Sequence, residues 1–159
     1  MGKDSKLGIQ GYILIAIFIA LSAWFFATEV EAAEFEIGPT LLSGEFADGG
    51  MLIFTERLGK WTLGGGYVSK QTCKCRVEVD LEENIFFQGQ RIVDHKNWEL
   101  GIGAAYFQNT NRALGKNLTW SLSLGYGKEH WSVRVRHWSN AGSGSPNLGQ
   151  DVVTIGYAF

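Results

Sequence analysis

From residue 35 to its last residue, Phe159, the chain is a succession of short segments in which large and small side chains alternate. Successive side chains on a strand point to opposite faces, so this alternation predicts β-strands with two unlike faces. The segments are 35–42, 50–56, 61–69, 75–87, 97–108, 117–127, 130–139 and 151–159, separated by turn residues. In 117–127, Leu118, Trp120, Leu122, Leu124 and Tyr126 share one face, and Thr119, Ser121, Ser123 and Gly125 share the other. In 97–108, Trp98, Leu100, Ile102, Ala104 and Tyr106 oppose Glu99, Gly101, Gly103 and Ala105.

A soluble sandwich would turn the large residues inward to a core. Here the opposite face is small or charged, with Glu99, Arg134 and Arg136 on it. A membrane barrel inverts the arrangement, with large apolar residues facing lipid and small or polar ones facing the lumen. Trp98, Trp120, Tyr126 and Trp131 stand near segment ends, where an aromatic girdle is expected. Glycine is 21 of 159 residues and proline only 2, which suits tight turns and a sheet closed on itself. The expected fold is all-β: an eight-stranded antiparallel transmembrane barrel. A soluble eight-stranded ligand-binding barrel is the rival.

Val153, Ile155, Tyr157 and Phe159 alternate to the last residue. This resembles the terminal strand of bacterial outer-membrane barrels, whose final aromatic residue is read by the barrel-assembly machinery. An even strand count puts both termini on the periplasmic side. Residues 57–60 and 127–130 are then short periplasmic turns, and the longer stretches 43–49, 109–116 and 140–150 face the cell exterior. A lumen of eight strands is filled by side chains, which excludes a porin.

The N-terminus fits export. Lys3 and Lys6 precede 22 uncharged residues, Leu7 to Thr28, and Val30-Glu31-Ala32-Ala33 follows. A basic start, an apolar stretch and spaced small residues predict a signal peptide over 1–32, cleaved after Ala32, with the barrel over 33–159. The rival is an uncleaved anchor, since 22 uncharged residues can span a bilayer.

Three polar groups break the lipid-facing pattern. In 130–139, Trp131, Val133 and Val135 face outward, and parity puts His137 and Ser139 with them. In the last segment Asp151 shares parity with Val153 and Ile155. Neighbouring strands lie about 4.8 Å apart and alternate residues about 6.6 Å, so His137 can reach both others. A hydroxyl, an imidazole and a carboxylate in that order make a nucleophile, a base and an orienting group. Asn140, beside the serine, is a candidate oxyanion donor. A His-x-Ser pair is common by chance, and the wet headgroup zone tolerates polar residues. A carboxylate on the apolar face of a terminal strand is less expected.

His137-Trp138-Ser139-Asn140-Ala141-Gly142, followed by Pro146-Asn147, resembles the C-terminal motif of the outer-membrane lipid A 3-O-deacylases, the PagL-like proteins. Trp98-Glu99-Leu100-Gly101 is similar to a mid-chain strand of the same family. The resemblance implies an eight-stranded barrel carrying a Ser-His-Glu triad on its lipid-facing surface, which removes the ester-linked acyl chain at the 3-position of lipid A. It assigns His137 as base, Ser139 as nucleophile, and Asn140 with the Gly142 backbone as oxyanion donors. The family glutamate follows the histidine by fourteen residues, and Asp151 stands there in this chain. Expected partners are lipid A or lipopolysaccharide as substrate, the outer membrane, the assembly machinery and a second copy of the chain as a homodimer.

Other chemistries find less support. The net charge of −2 offers no basic excess for nucleic acid. Cys73 and Cys75 do not complete a zinc site, and a ring between residues two apart on a strand would be strained, so they are expected at a loop end with no catalytic role. No metal or cofactor is expected. Gly64-Gly65-Gly66 opens no helix, so it is read as relief of crowding inside the barrel. An outer-membrane phospholipase and a non-catalytic structural or adhesive barrel are the competing functions.

Overall fold

A computed structural model of the chain describes residues 32–42, 44–73, 79–110, 113–142 and 149–159. The expected leader, apart from Ala32, lies outside the described residues. Ten strands follow in order: β1 Ala32–Leu42, β2 Glu45–Leu58, β3 Trp61–Val68, β4 Gln71–Cys73, β5 Val79–Leu81, β6 Asn84–His95, β7 Trp98–Phe107, β8 Leu118–Lys128, β9 Trp131–Ser139 and β10 Gln150–Ala158. Eight of them pair antiparallel in the order β1-β10-β9-β8-β7-β6-β3-β2, and β2 pairs back onto β1. The sheet is therefore a closed eight-stranded barrel. β4 and β5 form a small hairpin attached to β2 through Asp48 and Thr72.

The faces divide as the alternation requires. Leu118, Trp120, Leu122, Leu124 and Tyr126 are exposed on the outside of β8, whereas Thr119, Ser121 and Ser123 are buried in the lumen. The barrel has two unlike ends. Gly59-Lys60, Lys96-Asn97 and Glu129-His130 are two-residue turns at one end, where β1 begins and β10 ends. Trp61, Trp98 and Trp131 each open the strand that follows such a turn and are exposed there. The longer connections gather at the opposite end.

The lumen is filled in two layers. Towards the turn end, Arg134 donates to Glu34 at 2.9 Å, to Glu36 at 2.6 Å and to Glu99 at 2.8 Å, and Arg136 pairs with Glu36. Towards the loop end the filling is apolar: Met51, Ile53, Val68, Phe86, Phe107, Trp138 and Val152 form one buried cluster. The glycine run serves this packing, because a Cβ on Gly66 would stand 2.7 Å from the Phe86 ring and 2.3 Å from the Leu52 carbonyl.

Three expectations are corrected. The fourth barrel strand is 84–95, not 75–87. Gln88 and Gln90 in it are buried lumen residues, and on its outer face Gly89 and Arg91 interrupt the apolar series, so the stretch reads as a turn from sequence. Residues 45–49 belong to β2 rather than to a loop: β1 and β2 stay paired past an irregularity between Pro39 and Leu41 to Leu42↔Glu45. Cys73 is disulfide-bonded, against the expectation that strain disfavours a ring. It ends β4, buried against Leu42, Ala47, Leu81 and Ala113 in a second cluster that ties the connections of the loop end together. Cys75, the other cysteine of the sequence, lies outside the described residues.

Candidate active site

Two of the three polar residues of the outer face, His137 and Asp151, come together where β9 leaves the barrel and β10 enters it, and Ser139 lies further along β9. His137 and Asp151 are direct cross-strand partners, and His137 Nδ1 lies 2.7 Å from Asp151 Oδ1. An ionised carboxylate only accepts, so Nδ1 carries the proton and Nε2 is the basic nitrogen. The direct register explains why the short aspartate side chain suffices. Both side chains remain accessible, at 46% for His137 and 34% for Asp151.

Ser139 is two residues beyond His137 on the same face, and its Oγ accepts the Ala141 N–H at 3.1 Å. On the other side of β9, Trp120 is the partner of Ser139 and Leu122 the partner of His137. Both are exposed, so the serine and imidazole border an outward apolar wall. Between them in sequence, Trp138 points the other way. Its indole packs edge-on to Phe86 and Phe107, with centroids 5.2 and 5.7 Å apart, and is wholly buried.

The two residues expected at the oxyanion are engaged in the turn itself. Asn140 is buried, its Nδ2 donates to the Leu114 carbonyl at 2.9 Å, and its Oδ1 accepts the Gly142 N–H at 3.0 Å. The Gly142 N–H is thus engaged within the turn, and Asn140 Nδ2 gives one of its two hydrogens to Leu114.

Sequence reasoning missed the support behind the site. The Ala113 carbonyl accepts the Gly149 N–H at 3.1 Å, next to the bond from Asn140 to Leu114. Ala113 and Leu114 are both fully buried. Two consecutive carbonyls of the β7–β8 connection thus hold the residue after Ser139 and the residue before β10. No periodicity marks such a contact; the only cue is Gly149 two residues before Asp151. Among the described residues no three His, Cys, Asp or Glu side chains gather as a metal site would need.

Comparison with known proteins agrees with this architecture. A family model for lipid A 3-O-deacylase (PagL) matches residues 60–159. Among solved structures, the crystal structure of the outer membrane enzyme PagL is similar with a TM-score of 0.55 at 19% identity, covering 80% of this chain and 98% of that one. No curated protein matches the chain.

Proposed function

The chain belongs to the lipid A 3-O-deacylase (PagL) family, and from that membership we propose that it is a serine esterase releasing the 3-O-linked acyl chain of lipid A in the outer leaflet. The observation that carries this reading is the 2.7 Å contact between His137 and Asp151 on the outer face, beside Ser139. A base held by a carboxylate next to a hydroxyl is the arrangement that makes serine nucleophilic at neutral pH.

Ser139 Oγ attacks the ester carbonyl carbon while His137 Nε2 takes its proton. Asp151 holds the imidazole and stabilises its protonated form. Collapse of the tetrahedral intermediate expels the sugar hydroxyl, which takes the proton from His137 and leaves an acyl-serine. Water, deprotonated by the same imidazole, attacks the acyl-serine and releases the fatty acid. The oxyanion of both intermediates falls to Asn140, joined by the Gly142 N–H once the turn opens.

Location supports the same reading. β1 begins and β10 ends at the turn end, so in an outer-membrane barrel that end faces the periplasm and the site faces outward. The triad would then stand at the level of the outer leaflet, where lipid A resides, and the substrate need not leave the membrane. Trp120 and Leu122 would border the acyl chain.

Mass spectrometry of lipid A from cells carrying the parent or Ser139→Ala tests this. The parent removes one 3-linked acyl chain, and the variant, folded to the same extent, removes none. Phospholipid products with lipid A intact would indicate a phospholipase instead.

A further inference from the structure

We infer that Gly149 is a positioning residue for His137: the missing side chain at 149 is what lets the imidazole lie against Asp151. This rests on the reading of His137 as the base.

The backbone of Gly149 passes under the edge of the ring. A Cβ built there would stand 2.7 Å from His137 Cε1, 3.5 Å from Nε2 and 3.6 Å from Nδ1. A Cβ at 2.7 Å is closer than carbon atoms approach, so one of the two must move. The ring is the freer of the two. It is half exposed, whereas Gly149 is buried and its N–H is tied to the Ala113 carbonyl at 3.1 Å. Ala113 is in turn fixed in the cluster of Leu42, Ala47, Cys73 and Leu81. The contact therefore runs from a packed base to an exposed ring, and an added Cβ would push the imidazole off Asp151 and change the aim of Nε2. Displacements of that size cost activity out of proportion to their length, about 10- to 100-fold for 1 Å.

Gly149 also has φ +70°, which alone disfavours most side chains. Two substitutions separate strain from contact. Asparagine tolerates this backbone region better than alanine but carries the same Cβ. Gly44, with φ +80° and nothing within 4 Å of a built Cβ, supplies the control for strain without contact.

The experiment uses full-length protein assembled in membranes, with the folded fraction measured by heat-modifiable gel mobility. Rates of lipid A deacylation and of Ser139 phosphonylation by a small fluorophosphonate are expressed per folded barrel. Gly149→Ala and Gly149→Asn are expected to lower kcat about 10- to 100-fold, with KM within about threefold of the parent, and phosphonylation falling in parallel. Gly44→Ala and Gly44→Asn keep the parent rates. Near-parent activity in Gly149→Asn would overturn the inference, as would a raised KM at unchanged kcat in both variants. Failure of the underlying reading looks different: Ser139→Ala or His137→Ala would then deacylate as fast as the parent, and the fluorophosphonate would not label Ser139.

Discussion

At the scale of single residues, the site turns on one aspartate in a place where the family motif leads one to expect glutamate. Because Asp151 is the direct cross-strand partner of His137, its carboxylate reaches Nδ1 at 2.7 Å without the extra methylene. Asp151→Asn keeps the shape but offers an amide in place of the charge, so it favours the wrong imidazole tautomer. Its kcat should fall about 10²- to 10⁴-fold. Asp151→Glu restores the carboxylate and should stay within about tenfold of the parent; deacylation kinetics on purified lipid A measure both. A Glu variant as inactive as the Asn variant would mean that position, not charge, is what Asp151 supplies. The outward parity of His137, Ser139 and Asp151 was legible in the sequence because period two is strict along a strand. Gly149 and the Ala113 and Leu114 carbonyls were not, because they act through backbone atoms brought together from separate connections.

At the scale of elements, β9 carries the proposed site on one face and lumen packing on the other. His137 and Ser139 project outward, while Arg134, Arg136 and Trp138 project into the lumen. Trp138 is wedged against Phe86 and Phe107 directly beneath the site, so it fixes the end of the strand that presents the serine. Truncating a buried aromatic of this size costs about 3–5 kcal/mol. Trp138→Ala should therefore lower the urea midpoint of the refolded barrel markedly, and among the barrels that remain folded its deacylase rate should fall as well. A lowered midpoint with parent activity per folded barrel would show that the aromatic plug stabilises the wall without setting the site. The same two-faced logic explains which strands were readable. β7, β8 and β9 have clean outward apolar rows and were placed within a residue or two. β6 has Phe86 and Ile92 inside with Gly89 and Arg91 outside, and without contrast between its faces the strand was shifted.

At the scale of the whole molecule, closure depends on β1, which pairs with β2 on one side and with β10 on the other. β10 closes the ring against β1, and Phe159 lies just beyond it. Its ring is 66% exposed, its N–H donates to the Ala33 carbonyl at 3.0 Å, and it is 6.5 Å from the ring of Phe54. Phe159 therefore contributes little packing to the finished barrel, and its expected role as a recognition mark during assembly is separate from that packing. These two roles predict different outcomes for Phe159→Asp. Being at the turn-end rim, the charge should cost the folded barrel about 1 kcal/mol or less, so the purified variant refolds in detergent with nearly the parent's urea midpoint. In cells, the fraction reaching the heat-modifiable folded form should fall several-fold, because the terminal aromatic resembles the one that the assembly machinery reads. Equal loss in detergent and in cells would assign Phe159 to barrel stability instead. Undiminished assembly in cells would remove the terminal aromatic from the insertion process altogether, leaving the inverted alternation of the eight strands as sufficient for membrane entry.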